Sequence, residues 1–133
     1  MAEFKSIEQA RDFFKEDSFA MNAGISLDEL DEDRSICSMD IVKGKNTNAL
    51  GSVMGGAIFT LADFAFACAS NNLHNPTVSL SMSCNFIGRA KGKKLIAATK
   101  CVKNGRTTCV FDIDVEDELG TKVAKFIGTG YKS

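Results

Sequence analysis

The chain has 133 residues, 44% of them hydrophobic and 25% charged, with a formal net charge of −1, which suits one globular domain, 1–133, with a core of its own. Lysines and arginines are scattered rather than gathered in a stripe, which excludes the usual nucleic-acid footprint, and no cationic start leads into an apolar run with a small-residue cleavage site. The five cysteines (Cys37, Cys68, Cys84, Cys101 and Cys109) are odd in number and form no C-x-x-C pair, so they read as small apolar core residues in a reducing compartment, the cytoplasm by default, and not as a disulfide framework or zinc site.

Ser6-Ile7-Glu8-Gln9 has the spacing of a capping box, a hydroxyl followed three residues on by an amide. Ile7, Ala10, Phe13 and Phe14 then recur at helical spacing, predicting a short amphipathic helix that ends near Asp17. Residues 21–30 and 34–42 read as two strands around the acidic turn Asp31-Glu32-Asp33. In the second, Cys37, Met39 and Ile41 alternate with Ser38 and Asp40, as on a half-buried strand. A polar, glycine-containing loop at 43–50 leads to an apolar helical run at 53–69. Beyond it Val78, Leu80, Met82, Cys84 and Phe86 alternate strictly with Thr77, Ser79, Ser81, Ser83 and Asn85. Residues 95–102 form a more uniformly apolar strand, and Asn104-Gly105 is a strong signal for a type I′ hairpin turn. Cys109, Phe111, Ile113 and Val115 then alternate with Asp112, Asp114 and Glu116, and Glu118-Leu119-Gly120 turns the chain into a last strand, 122–131. The order is helix, two strands, central helix, four strands, which is an antiparallel α+β domain.

The run 53–69 is too short for a membrane span, which needs about 20 apolar residues, and it holds Asp63 near its middle. A helix apolar on every side is one buried inside a protein. On a period of about 3.6 residues, Gly56, Thr60, Asp63, Ala67 and Ser70 fall on one narrow stripe of small or polar side chains. A carboxylate there is costly to bury unless it is paired, hydrogen-bonded or open to a cavity. Two readings stand at this point: a carboxylate tied to a neighbouring strand, or one doing chemistry in a cleft. Gly51, Gly55 and Gly56 flank the helix start, whose first N–H groups have no intrahelical partners. Those groups can stabilise a carbonyl oxygen under attack, and glycine lets a substrate approach the backbone. Close helix–sheet packing would favour the same glycines. Gly56 and Asp63 lie about 10 Å apart along the helix axis. If both act on one carbonyl, they must come from two copies of the chain with central helices side by side.

The stretch Asn48-Ala49-Leu50-Gly51-Ser52-Val53-Met54-Gly55-Gly56-Ala57-Ile58-Phe59-Thr60-Leu61-Ala62-Asp63 resembles the signature of PaaI-type hotdog thioesterases, which reads N, G, then H-G-G, then L-A-D. The match continues through Ala65-Phe66-Ala67, Asn71, Thr77-Val78-Ser79-Leu80, Asn85-Phe86-Ile87, Ala90-Lys91-Gly92 and Asn104-Gly105-Arg106. The resemblance implies a hotdog fold, an antiparallel sheet wrapped around a central helix, here with a short N-terminal helix. It implies hydrolysis of an acyl-CoA thioester to free acid and CoA, without a cofactor or metal. Its implied partners are the acyl-CoA substrate and further copies of the chain, a homodimer joined through the sheets and often paired into a tetramer, with neither nucleic acid nor membrane. It assigns Asp63 as nucleophile or general base, and Gly56, with Gly55 beside it, as the amide for the carbonyl. Asn48 would place the carbonyl or the water from the subunit opposite the carboxylate, and Ser79 would lie near the substrate. Thr60 and Met54 complete the contacts around the helix, and Arg89, Lys91 and Arg106 are candidates for the CoA phosphates.

Two positions depart from that pattern. Met54 stands where the family has histidine, which removes a side-chain donor and leaves the backbone amides. Arg89 stands where a proline usually follows the strand. A non-catalytic acyl-CoA-binding protein, its turnover lost through Met54, is therefore the rival expectation. His74, the one histidine, sits beside Pro76 just past the helix, badly placed for the acid–base pair a hydratase needs.

Overall fold

A computed structural model describes residues 2–133. At its start the Ser6 hydroxyl accepts the Gln9 N–H and caps α1 (Ile7–Phe14), while the Gln9 amide oxygen accepts from Lys5. α1 stops before Asp17 because Asp17 caps a second short helix, α2 (Ser18–Asn22), its carboxylate accepting the Ala20 N–H. Residues 21–24, expected as strand, are therefore helix end and turn. Buried Ala20 anchors α2 to the core, and Gly24, at φ 79°, swings the chain into β1 (Ile25–Leu30). β2 (Ser35–Asp40) pairs antiparallel with β1 and turns Cys37 and Met39 inward.

The central helix, α3 (Gly55–Leu73), starts two residues later than the apolar run and extends four residues past it. Its last turn is held by asparagines rather than by apolar packing. The Asn72 side chain accepts from Phe4 and donates to the Asp31 carbonyl, and Asn71 donates to the Thr77 carbonyl and accepts the Thr77 N–H. The strands that follow are β3 (Thr77–Phe86), β4 (Lys94–Asn104), β5 (Thr108–Asp117) and β6 (Lys122–Lys132). All six strands make one antiparallel sheet in the order β1-β2-β4-β5-β6-β3, wrapped around α3. This is the α+β hotdog arrangement expected. No helix among the described residues is long and apolar enough to cross a membrane.

Ile58, Leu61, Phe64, Phe66 and Cys68 of α3 are buried against Leu95, Phe111, Ile113, Val115 and Phe126 of the sheet. Burying each large side chain contributes about 1.5–3 kcal/mol. Phe66 lies edge-on to Phe111 at 5.7 Å and reaches the sheet because β6 carries Gly128 and Gly130 beneath it. A Cβ at either would stand 3.0–3.1 Å from the Phe66 ring, and one at Gly130 only 2.7 Å from Thr77. Cys37, Cys68 and Cys109 are buried and Cys84 and Cys101 half-buried, all free, the core role expected of them.

Two strand expectations need correction. β3 does not alternate strictly: Ser79 pairs with Gly130 and Ser81 with Thr129, which leaves Leu80 as the extra residue of a bulge. The phase shift puts Ser79 on the same face as Met82 and Cys84, and leaves Val78 and Leu80 exposed. The β4–β5 hairpin is present without a type I′ turn, since neither Asn104 nor Gly105 has positive φ. A longer loop through Arg106 and Thr107 is closed by Gly105 N–H to the Thr108 carbonyl and by the Lys132 ammonium on Asn104 and Gly105.

Candidate active site

The sheet wraps the apolar faces of α3 and leaves one stripe uncovered. Gly56 and Asp63 on it are exposed, and Thr60 and Ala67 are half-buried. Asp63, expected to be buried, thus opens to solvent within one chain. The Ser79 hydroxyl donates to its Oδ1 at 3.2 Å, made possible by the β3 bulge and by Asn71 fixing the strand's first residue. Partial desolvation of the carboxyl against its neighbours raises its pKa above the ordinary aspartate value. The Ser79 bond pulls it down, and the charge of Asp17 pushes it up again.

At the other end of the stripe the helix start is built from backbone. Met54 is the N-cap in extended conformation and makes no side-chain capping bond. Its N–H donates to the Asn46 carbonyl at 2.8 Å, and its carbonyl accepts from Ala57 and Ile58. Gly55 and Gly56, the first two helical residues, donate to no acceptor among the described residues. Two uncommitted N–H groups at a helix start stabilise negative charge. The loop before them is locked by buried Asn46, whose side chain accepts from Val42 and donates to the Asp40 carbonyl. Sequence reasoning passed over Asn46, because an amide in a polar loop carries no signal until the loop closes around it.

Asn48 is partly committed. Its Oδ1 accepts the N–H groups of Leu50 and Ser52 in a turn completed by Gly51 at φ 80°, which leaves Nδ2 as the donor available to a ligand. Thr60 spends its hydroxyl proton on the Gly56 carbonyl at 2.8 Å and offers only lone pairs outward. Asn48, Met54, Gly56 and Thr60 share a cavity of about 500 Å³ whose further wall includes Phe19 of α2. On the opposite side of the helix start, Gly55, Ile58, Phe86 and Arg89 line a second cavity of about 510 Å³. Phe19 and Asp17 were not anticipated near the site, since the sequence pattern assigns residues 18–20 to no element and only 21–22 of α2 to a strand.

Asp63 and Ser79 therefore form one cluster, and Asn48, Met54, Gly55 and Gly56 another, about 10 Å away along the helix, with Thr60 between them about 4.5 Å from Asp63 along the axis. The cations divide as well. Arg89 and Lys91 lie just before β4, whereas Arg106 follows its far end, roughly 30 Å away at the rise of an extended strand. Arg89 donates to the Leu50 carbonyl at 3.2 Å. His74 sits at the end of α3 with Nδ1 against the Pro76 carbonyl and makes no ion pair with a carboxylate among the described residues. Among the described residues no group of three or more His, Cys, Asp or Glu side chains is placed to hold a metal ion.

Known proteins resemble this chain in sequence and in fold. The family model described as "Thioesterase superfamily" matches residues 50–124. A protein of Archaeoglobus fulgidus named putative esterase is 30% identical over 95% of this chain and 82% of its own length. The Escherichia coli acyl-coenzyme A thioesterase PaaI is 28% identical over 96% and 91% of the two chains. A structure of the Escherichia coli PaaI protein superposes with a TM-score of 0.88 at 27% identity, covering 96% of this chain and 92% of that one. A hypothetical thioesterase of Streptococcus pneumoniae, solved with coenzyme A, superposes at 0.82 with 27% identity, over 90% and 96%.

Proposed function

The chain belongs to the thioesterase superfamily as a PaaI-type hotdog member, and from that premise we propose that it hydrolyses an acyl-CoA thioester at a site shared between two subunits. The observation that carries the reading is Asp63 itself: a carboxylate of raised pKa on the uncovered stripe, held by Ser79. In the reaction the thioester carbonyl oxygen lies on the Gly56 N–H, with Gly55 beside it and Asn48 Nδ2 near the carbonyl or the water. Asp63 of the second subunit takes a proton from water as the hydroxide adds to the carbonyl carbon. The negative oxygen is stabilised by the helix-start amides until the C–S bond breaks. The CoA thiolate leaves and recovers the proton from Asp63, giving free acid and CoA. A carboxyl of raised pKa suits a general base working near neutral pH.

One further feature supports a shared site. β3 closes the sheet order as an edge of ten residues, Thr77–Phe86, with no proline or lysine to blunt it, and such an edge invites a second strand. Antiparallel pairing of two such edges would bring Asp63 of one copy toward the helix start of the other. Loss of the family histidine removes a side-chain donor but leaves the helix-start amides, which the Met54 backbone on Asn46 holds in position. Arg89 and Lys91 would meet the CoA phosphates, Arg106 doing so only from the partner. Five free thiols suit a reducing compartment and support a cytoplasmic setting.

The test is release of free CoA from a panel of acyl-CoAs. Wild type should turn over at least one, and Asp63→Asn should lose about 10²–10⁴-fold in kcat, the range for removing a general base. Tight acyl-CoA binding without release from any chain would instead identify a binding protein.

A further inference from the structure

Outside the two clusters the most heavily bonded acids in the molecule are Asp117 and Glu118, at the β5–β6 turn. Asp117 is 2% exposed. Its Oδ2 accepts the N–H groups of Lys91 and Gly92 at 2.8 and 2.9 Å, and its Oδ1 those of Leu119 and Thr121 at 3.0 and 2.8 Å. The Glu118 carboxylate accepts Lys93 N–H at 2.9 and 3.0 Å and Lys94 N–H at 3.1 Å. The approach is close, so a side chain at Gly92 would displace the Glu118 carboxylate, and Gly88 just before the segment is held tightly against β6. A Cβ on Gly92 would fall 2.1 Å from Glu118 Oε1, and one on Gly88 would fall 2.2 Å from the Lys122 carbonyl.

The segment strapped down in this way is Arg89-Ala90-Lys91-Gly92-Lys93-Lys94, four cations in six residues, all four exposed. On an ordinary surface two acids beside four cations would pair with them side chain to side chain. Here the carboxylates are spent on backbone N–H groups. None of the four cations lies within ion-pair distance of a carboxylate among the described residues. Asp117 lies inside and Glu118, though exposed, is turned onto the backbone, while the cations face solvent and Arg89 lines the cavity that reaches Gly55.

We propose that Asp117 and Glu118 are positioning residues: they hold the Arg89–Lys94 segment as a preformed cationic platform for the phosphates at the end of the substrate's pantetheine arm. The proposal rests on the acyl-CoA thioesterase reading for its ligand. The same phosphate chemistry is offered by free CoA and by the phosphopantetheine of an acyl carrier protein. Preorganisation is what the clasp supplies, since a cationic loop ordered before binding loses less entropy when phosphates arrive.

The sign of one substitution separates this role from simple electrostatics. Glu118→Ala removes a negative charge near the platform, so Coulomb attraction alone predicts tighter phosphate binding. Loss of the clasp predicts weaker binding. By calorimetry on the intact protein, CoA should bind Glu118→Ala about three- to tenfold more weakly than wild type, the scale of losing one or two charge-assisted bonds. Glu118→Gln should bind at least as well as wild type, because one remaining oxygen still reaches Lys93 and Lys94. Pantetheine, which has no phosphate, should bind all three proteins alike, while phosphopantetheine should respond in the same direction as CoA. A larger response for CoA assigns the platform to the nucleotide phosphates, and an equal one to the phosphate that a carrier protein shares. Unchanged or tighter CoA binding in Glu118→Ala overturns the proposal, as does an equal loss for pantetheine. Absence of turnover with any acyl-CoA, alongside the expected CoA binding, would strike the thioesterase reading and leave this one standing.

Discussion

Two aspartates are shifted in opposite directions, and the signs have separate consequences. The Asp63 carboxyl is raised, first by burial, against the Ser79 bond. Hydrolysis should therefore rise with pH along an acid limb whose midpoint lies above the usual aspartate value of about 3.9. Ser79→Ala removes the bond that opposes the shift, so a kcat/KM–pH profile should move to higher pH; an unmoved midpoint would disconnect Ser79 from the base. A folded value above the unfolded one means that this carboxyl's contribution to stability is present below about pH 3.9 and is lost as pH rises through the folded value. Asp63→Asn should accordingly raise Tm at neutral pH, with the gain vanishing in acid, a trade of stability for activity. Asp117 runs the other way. Burial would raise it, but the N–H groups of Lys91, Thr121 and Gly92 outweigh that and hold it far below the usual range. Its contribution is present above about pH 3.9 and lost only as pH falls through the lower folded value. Asp63 was legible in the sequence because a lone charge in an apolar run is an anomaly. Asp117 and Asn46 were not, because acids and amides are ordinary in turns and become structural only when distant N–H groups converge on them.

Among elements, those with an intact period were legible and those with a broken one were not. β5 buries Cys109, Phe111, Ile113 and Val115 as its alternation predicts. β3 alternates more strictly in sequence yet is bulged at Leu80. A bulge has no residue signature when the extra side chain is apolar and exposed, as Leu80 is. The Asn104-Gly105 signal failed for a related reason: long-range bonds from Lys132 set the loop instead of local φ preferences. Gly128 and Gly130 were passed over too, since their role is to vacate space for a ring on another element. That role predicts a cost. Gly130→Ala sets a methyl 2.7 Å from Thr77 and 3.0 Å from the Cys109 sulfur, an overpacking that should lower unfolding free energy by about 1–3 kcal/mol. Denaturant titration measures it, and a change below about 0.5 kcal/mol, the scatter of neutral surface substitutions, would show that the ring is free to retreat.

At the scale of the whole molecule the unresolved tension is distance. The amides of Gly55 and Gly56 and the carboxylate of Asp63 share one rigid helix, about 10 Å apart, and no rotamer of Asp63 brings them together. The geometry of a single helix points to a second copy of the chain, and the open β3 edge gives that copy a place to join. If the site is shared, damage to its two halves should complement. Asp63→Asn removes the base, and Asn48→Asp keeps the acceptor that holds the Leu50–Ser52 turn while replacing the Nδ2 donor. Each variant alone should be inactive toward acyl-CoA. In a mixed dimer one site receives Asn48 from the first variant and Asp63 from the second and is whole, while the other carries both lesions. Equal, randomly mixed subunits should then recover about a quarter of wild-type CoA release, half the dimers being mixed with one working site in two. Recovery requires mixed dimers, so the two chains should be co-expressed with different tags and the doubly tagged species isolated, which should show about half of wild-type CoA release. If that species is as inactive as its parents, base and oxyanion hole do not meet across subunits, and the catalytic partner of Asp63 must be sought within its own chain.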